Sequence, residues 1–338
     1  MGLLTEILNT LARVLALPSF YYMIIMSAAP ILLAALACAI ALKANAINMG
    51  TEGIMTVSSL VAVLVSAKLG GAAAGGPWFG LVAAIIVGAI LGFMVSVFAF
   101  RLKIDIILVG IAMNLIGTGA SVFLMYVLTG DRTTTTSLSS GTLPQIAIPL
   151  LKDIPVLGEI LSGHYILTYV AYILVFVMSF LLFKTKLGLR IRAVGENEDA
   201  AESVGISSLH IKTIALVISG ALGGVAGAFM SECYLAYFSS GLIAGRGFVG
   251  LAACNMGAGN PGIICLCCLA FGIFYAFSNF AALSNLSIYA LNALPYAVVL
   301  VGVVLYSIYT RNKELKRLQG LESEEKSETG SVAHNQDA

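Results

Sequence analysis

The sequence predicts an all-α, polytopic integral membrane protein with about 8–10 transmembrane helices. Hydrophobic residues make up 59% of the chain and charged residues only 10%, whereas a soluble domain carries roughly 25% charge. No charged residue occurs between Arg246 and Arg311, a stretch long enough for two or three spans of about 20 residues each. Backbone groups in lipid must bond within their own segment, so these spans are helices.

Each predicted span is a long apolar run bounded by charged or polar residues. The segment 243–257 is short, which is typical of a broken or half-crossing helix, and residues 3–17 form an amphipathic lead-in. We place the apolar cores at residues 22–42, 50–67, 78–100, 105–129, 165–183, 211–231, 243–257, 261–281 and 287–309.

Orientation follows from the distribution of lysine and arginine, which accumulate in cytoplasmic loops. Basic clusters follow the span that ends near 183 and the span that ends near 309. Both are predicted to be cytoplasmic, which puts the C-terminal tail inside the cell and the N-terminus outside. Residues 1–318 then form one membrane-spanning domain with a cytosolic segment at 186–210, and residues 319–338 form a disordered cytosolic tail.

Several functional classes are disfavoured by what the sequence lacks. It has no G-x-x-x-x-G-K-[ST], HExxH or GxSxG motif, and its three histidines are scattered. We therefore expect no enzymatic activity, no ATPase motif of its own and no bound cofactor. A net charge of +1 gives no basic surface for nucleic acid. The cysteines at 265, 267 and 268 could suggest a metal site, but apolar helix filler is the better interpretation, so no metal is predicted.

The polar segment after residue 184 predicts a short cytosolic helix. Asn197 is a suitable N-cap, Glu198 and Asp199 fall in the first turn, where the helix dipole favours anions, and Gly205 is a natural stop. A small apolar face is expected from Ala200, Ala201 and Val204. This helix is either a simple connector between two spans or a docking helix for a cytosolic partner.

Three other features carry polar groups into apolar surroundings. Glu52 lies within a glycine- and asparagine-rich segment at 45–54, and it either has a functional role, reaches the interface or pairs with Lys43. Arg246, between two glycines, is an interfacial arginine, a structural pin or part of a vestibule wall. Asn114 and Asn292 predict interhelical hydrogen bonds, although Asn114 could also line a polar path. Two further patterns predict local structure. Glycines four residues apart within 219–228 favour close helix packing. The Thr133–Thr136 run with Ser137, Ser139 and Ser140 indicates an exposed flexible loop.

Three of these motifs together resemble the permease subunits of bacterial ABC importers for nucleosides and simple sugars, which are related to ribose and branched-chain amino-acid permeases. They are NAINMGTEGIM at 45–55, GLRIRAVGENEDAAESVGI at 188–206, and AGRGFVGLAA at 244–253, the last followed by Gly-Asn-Pro at 259–261 and Leu-Pro-Tyr-Ala at 294–297. The resemblance covers roughly residues 25–308, and the segment 188–206 is its most specific part.

The resemblance implies partners and a mechanism. Such a permease pairs with an identical or paralogous permease, binds cytosolic ATPase subunits that use ATP, and receives its solute from an extracytoplasmic binding protein. It resides in the bacterial plasma membrane. The residues implied to couple to the ATPase are Arg190, Arg192, Gly195, Glu196, Asn197, Asp199, Ala200, Ala201 and Gly205. Those implied to line the translocation path are Asn48, Glu52, Asn114 and Arg246.

A small neutral solute suits a path without clustered charge, and the resemblance favours a nucleoside, with a simple sugar as the alternative. Two other classes compete. An ion-coupled secondary transporter predicts inverted repeats and conspicuous intramembrane acids. A membrane-embedded enzyme predicts paired carboxylates or a nucleophile constellation at one membrane face. The sequence shows neither pattern, so the ABC permease is the favoured interpretation.

Overall fold

In a computed structural model, the structure describes residues 17–70, 75–138, 140–147 and 157–281, together with single positions between 297 and 312. The chain divides into two compact units, Met1–Pro295 and Tyr296–Ala338. The predicted lead-in at 3–17 falls almost wholly outside the described residues. Asn292 and the predicted tail at 319–338 also lie outside them.

The first unit is built from helices. The long ones are α1 (Pro18–Lys43), α2 (Thr51–Lys68), α3 (Gly76–Ser96), α4 (Ile106–Thr129), α6 (Ile166–Lys184), α9 (Ser208–Phe229) and α11 (Pro261–Ala281). The short ones are α5 (Leu157–Leu161), α7 (Lys186–Glu196), α8 (Glu198–Ser203) and α10 (Arg246–Met256). Single π-helical turns at Val97–Arg101 and Met230–Tyr234 extend α3 and α9.

Within the described residues, seven helices are long and apolar enough to cross a membrane. They coincide with seven of the predicted spans to within a few residues. The segment predicted to be half-crossing is confirmed as short, because α10 has 11 residues. In the second unit, the described positions between 297 and 312 are helical, and they include part of the predicted 287–309 span.

Helix α1 forms the centre of the first unit. Its residues are buried without a break from Ser27 to Ala41, and α6, α9, α10 and α11 all pack against it. A helix that is apolar on every side belongs in the interior of a bundle. Small residues fill its second half, so its neighbours approach closely: an added Cβ at Gly250 of α10 would lie 2.8 Å from the Cβ of Ala34.

The glycines of α9 pack directly on α3, which confirms the close packing predicted for 219–228. An added Cβ at Gly220 would overlap the carbonyl oxygen of Gly88, and one at Gly224 would overlap that of Ala84. The reciprocal addition at Gly88 would overlap the carbonyl oxygen of Gly220. The two helices therefore meet backbone to backbone, a contact that any side chain would separate.

The threonine-rich loop after α4 is only partly exposed. Thr136 and Ser137 are exposed as predicted, but the prediction is wrong for Thr135 and Ser140, which are buried. The Thr135 amide donates to the carbonyl oxygen of Phe238 at 2.9 Å, and the Ser140 hydroxyl donates to that of Ala236 at 3.0 Å. The loop is thus bonded to the segment that leads into α10.

A two-stranded hairpin covers the start of α1. β1 (Gln145–Ile146) pairs antiparallel with β2 (His164–Tyr165). The His164 ring stacks on Tyr22 of α1 with ring centroids 4.0 Å apart, and the Tyr22 hydroxyl donates to the Gly163 carbonyl at 3.2 Å. Burial lowers the pKa of His164 below its ordinary value, because the charged ring is poorly solvated there.

We expect this histidine to make the stability of the hairpin region pH-dependent. A group whose pKa is lowered by folding stabilises the folded state above its unfolded pKa, about 6.5 for histidine, and that stability is lost as the pH falls. The Tm of the detergent-solubilised chain should drop between about pH 7.5 and about pH 5.5, and His164→Phe should reduce that drop. The exposed His210 provides the control: equal pH dependence in His164→Phe and His210→Phe would contradict the assignment.

Candidate functional site

The segment between α1 and α2 turns back into the bundle after α1 ends. The carbonyl oxygen of Asn48 lies 4.0 Å from the Cys38 sulfur, and the Thr51 hydroxyl lies 3.4 Å from the same sulfur. Cys38 is more than one turn before the end of α1 at Lys43. Helix α2 therefore begins inside the apolar layer rather than at its surface.

Helix α10 also begins inside that layer, in the manner of a half-crossing helix. Gly250 packs against Ala34 and Ala35, near the middle of α1, while Gly259, beyond the end of α10, lies against the side chain of Lys43 at the end of α1. With 11 residues, α10 is about 16 Å long, roughly half of the hydrocarbon thickness. Two helix N-termini thus meet within the bundle, an arrangement typical of transport proteins.

Glu52 joins these two helix starts. It lies in the first turn of α2, and its Oε1 and Oε2 accept hydrogen bonds from the backbone N–H groups of Gly245 and Gly247, each at 2.7 Å. The carboxylate thus faces the positive ends of two helices, which favour an anion. Of the alternatives drawn from the sequence, the pairing with Lys43 is wrong, because the Glu52 carboxylate binds the backbone amides at the start of α10 instead.

Arg246 is buried beside this cap rather than exposed to lipid headgroups. Its guanidinium donates to the carbonyl oxygens of Ile243 at 3.2 Å and Leu242 at 3.4 Å. It also lies between two aromatic rings, 5.3 Å from the centroid of Tyr234 and 5.1 Å from that of Tyr275. These contacts hold the segment before α10 against Tyr234, in the turn after α9, and Tyr275 of α11, so the geometry fits a structural pin.

Two buried asparagines hold the segment between α1 and α2 in place (residues 44–50, here called the re-entrant segment). Asn114 of α4 accepts from the Gly53 amide and donates to the Met49 carbonyl, both at 2.8 Å. Asn48 donates to the Ser219 hydroxyl of α9 at 2.9 Å and accepts from the Gly50 amide at 3.0 Å. The predicted interhelical hydrogen bond of Asn114 is confirmed, and Asn48 ties the segment between α1 and α2 to α9.

The four predicted path residues therefore converge on one region, where α2 and α10 begin. Each is bonded to backbone or to another helix, and Glu52 remains partly exposed. Three neighbours were not predicted: Gly245 and Gly247, which supply the amides, and Phe248, whose side chain is 50% exposed. The sequence signal for them is the Gly-Arg-Gly-Phe run, in which Gly245 has a left-handed φ of 75°.

Glu232 is a further acidic residue that sequence reasoning missed. It lies in the π-helical turn after α9, is fully buried, and its carboxylate has no hydrogen-bond partner within the described part of the chain. Gly80 of α3 leaves room for it, because a Cβ added at Gly80 would overlap the carboxylate.

The predicted cytosolic helix is present as α8. The Asn197 side chain accepts from the Ala200 amide at 3.0 Å, as predicted for an N-cap, and Gly205 adopts a left-handed φ of 82°. Glu198 forms an ion pair with Lys212 of α9. The hydrogen bond that the Lys212 ammonium donates within this pair lowers the pKa of the Glu198 carboxyl below its ordinary range.

The apolar face predicted for α8 is wrong in one respect. Ala201 is buried, with 5% of its surface exposed, whereas Val204 is 74% exposed, so the two residues do not share a surface. Ala201 is instead on the buried side of α8. Val204 lines a groove of about 370 Å³ with Arg190, Gly205, Ile206, Ser207, His210, Ile211 and Ile214.

The preceding helix, α7, connects this surface to α1. Its Gly195 packs against the Lys43 carbonyl at the end of α1, where a Cβ would overlap the oxygen. Arg192 lies over the Phe183 ring at 5.2 Å. Of the predicted coupling residues on α7 and α8, Arg190, Glu196, Asp199 and Ala200 are exposed.

A bundle of apolar helices, two helix starts meeting inside it, and a capped helix between two spans define a class of protein, the polytopic transport subunits of membranes. Residues 20–309 match the family described as branched-chain amino acid transport system / permease component. The chain belongs to that family, and is therefore a multi-pass membrane component of a transport system that has other subunits.

Named relatives extend the comparison. The chain is 35% identical over 242 residues to the guanosine ABC transporter permease protein NupQ of Bacillus subtilis, covering 69% of this chain and 73% of NupQ. It is 34% identical over 236 residues to the nucleoside ABC transporter permease protein NupC of Lactococcus lactis, with the same shares. The putative glucose ABC transporter permease protein TsgC13 of Haloferax volcanii is 29% identical over 232 residues, which cover 68% of this chain and 67% of TsgC13.

Proposed function

We propose that this chain forms the translocation path for a nucleoside in an ABC importer whose ATP is hydrolysed by a separate subunit. The assignment of a nucleoside as the substrate is supported by the sequence identity of 34–35% to two permeases named for guanosine and for nucleosides. A simple sugar is the alternative, supported by the lower identity of 29% to a putative glucose permease.

The charge distribution of the site supports a neutral solute. The Glu52 carboxylate is bound by two backbone amides, and the Arg246 guanidinium by carbonyl oxygens and two tyrosine rings. Neither group is presented as a free charge, so a strongly ionic solute would find no counter-ion there. Asn48, Glu52, Asn114 and Arg246 thus shape and hold the path at the point where α2 and α10 begin.

The surface formed by α7, α8 and the start of α9 is the proposed docking site for the ATPase. Its groove combines apolar side chains such as Val204 with the cation of Arg190, and the acidic first turn of α8 lies beside it. The Glu198–Lys212 ion pair and the Gly195 contact connect this surface to α9 and α1. A movement of the ATPase would therefore reach the helix that ends beside the re-entrant segment.

The remaining partners follow from the class of importer. A second permease, identical or paralogous, would complete the path, and an extracytoplasmic binding protein would deliver the nucleoside. The groove around Val204 would face the cytoplasm, as would the C-terminal tail, in a bacterial plasma membrane. The chain itself would hold no cofactor, and ATP would be used by the partner ATPase.

Affinity purification tests both the class and the docking surface. We expect the tagged chain, extracted from its native membrane in mild detergent, to bring down a protein with a nucleotide-binding motif. Val204→Asp should remove that protein, because it places a charge in the apolar part of the groove. Val61→Asn, a polar change on a partly exposed position of α2, serves as the control. A transport-competent chain that purifies without any ATPase would contradict the proposal.

A further inference from the structure

We propose that the Phe248 ring is the surface on which the base of a nucleoside stacks as it passes the start of α10, an inference that rests on the proposed function. Phe248 lies in the first turn of α10, next to Gly247, whose amide is held by Glu52. Its side chain is 50% exposed. An exposed aromatic ring is thus fixed at the point where two helix starts meet.

The depth of this ring follows from its neighbours. Gly250, two residues further along α10, packs against Ala34 and Ala35 near the middle of α1. Phe248 therefore lies well inside the apolar layer, not in the belt of aromatic residues expected where membrane meets water.

The face that carries Phe248 differs from the faces of α3 and α6. The exposed positions of α6 before its last residue, Lys184, are all apolar and include Ile173, Phe176, Val177 and Phe180, as lipid contact requires. Near Phe248, by contrast, Glu52 is partly exposed, and Asn255, two turns further along α10, is exposed. A partly exposed carboxylate beside the ring, together with an exposed amide on the same helix, indicates a surface that meets polar solute rather than acyl chains.

A ring in such a place matches the chemistry of a nucleoside. A nucleobase has two apolar π-faces and a polar edge, and aromatic side chains stack on those faces with little regard to which base is present. The backbone of Phe248 is rigid because Glu52 binds the adjacent amide, so little ordering is required when the base arrives. A two-ring purine covers more of the phenyl ring than a one-ring pyrimidine, so purine nucleosides gain more.

The test measures uptake by the complete importer in cells that lack other nucleoside uptake. Initial rates are taken at saturating purine and pyrimidine nucleoside, so that the binding protein is filled and translocation limits the rate. We expect Phe248→Leu, which keeps apolar bulk without a π-face, to lower purine nucleoside uptake about tenfold, equivalent to about 1.4 kcal/mol. Pyrimidine nucleoside uptake should fall less, and Phe248→Trp should retain both.

Phe176→Leu on α6 is the matched control, since Phe176 is 76% exposed on an apolar face, and its uptake should equal wild type at equal membrane abundance. If Phe248→Leu accumulates poorly, Phe248→Trp against Phe248→Met makes the same comparison. Equal losses for purine and pyrimidine nucleosides, or no difference between the Trp and aliphatic variants, would overturn the stacking role. A wild-type importer that takes up sugars but no nucleosides would instead refute the proposed function.

Discussion

Replacing Glu52 with alanine is expected to destabilise the chain by about 3–6 kcal/mol, since each of its two hydrogen bonds to a charged group contributes roughly 1.5–3 kcal/mol. The substitution leaves the amides of Gly245 and Gly247 without their acceptor and removes the negative charge from two helix starts. We expect a large drop in the Tm of the detergent-solubilised chain and loss of uptake by the complete importer.

Two variants make this result specific. Glu52→Gln keeps one carbonyl oxygen as an acceptor, so it should lose roughly half of the stability lost by Glu52→Ala. Glu196→Ala removes an exposed acid at the end of α7 and should leave the Tm close to that of wild type. If Glu52→Ala melts with wild type, the carboxylate does not hold α10 in place.

Replacing Gly220 with valine should prevent α3 and α9 from packing, with a loss above about 3 kcal/mol, at the upper end of overpacking costs. A single Cβ at this position already overlaps the carbonyl oxygen of Gly88, and a backbone cannot move aside as a side chain can. We expect little folded chain in the membrane, measured as the monodisperse fraction in size-exclusion chromatography of a fluorescent fusion.

Gly119 of α4 is a matched control, because it is a helical glycine where an added side chain has room. A Cβ added there meets nothing within 4 Å, so Gly119→Ala should be tolerated or slightly stabilising, because alanine favours a helix by up to about 1 kcal/mol over glycine. Equal yields of folded Gly220→Val and Gly119→Ala would show that the α3–α9 contact is less close than the structure has it.

Local patterns explain what could be predicted at the site. The N-cap at Asn197 and the stop at Gly205 depend on residues a few positions apart, and both are confirmed. The interhelical bonding of Asn114 was predicted from its polar side chain in an apolar run. Its partners, Gly53 and Met49, could not be, because bonds across more than 60 residues depend on how the helices pack.

Ala201 and Thr135 show the same limit from the other direction. Thr135 was expected in an exposed loop and Ala201 on one apolar face with Val204, yet Thr135 is buried, and Ala201 is buried while Val204 is exposed. Ala201 is turned inward because α8 is tied to α9 by the Glu198–Lys212 pair. Thr135 is buried because its amide binds the Phe238 carbonyl, 103 residues away.

The sequence by itself determined the class of this protein, the positions of seven spans among the described residues, the capped helix between two of them and the close packing of the α9 glycines. Each of these features depends on the length of an uncharged run, on capping residues or on the spacing of small residues. Such patterns involve residues only a few helical turns apart. Only the tertiary structure decided that Glu52 binds amides 193 and 195 residues away, that α10 starts inside the bundle and that Phe248 is exposed there. Those features arise from packing around α1, which brings distant segments together and so leaves no local pattern.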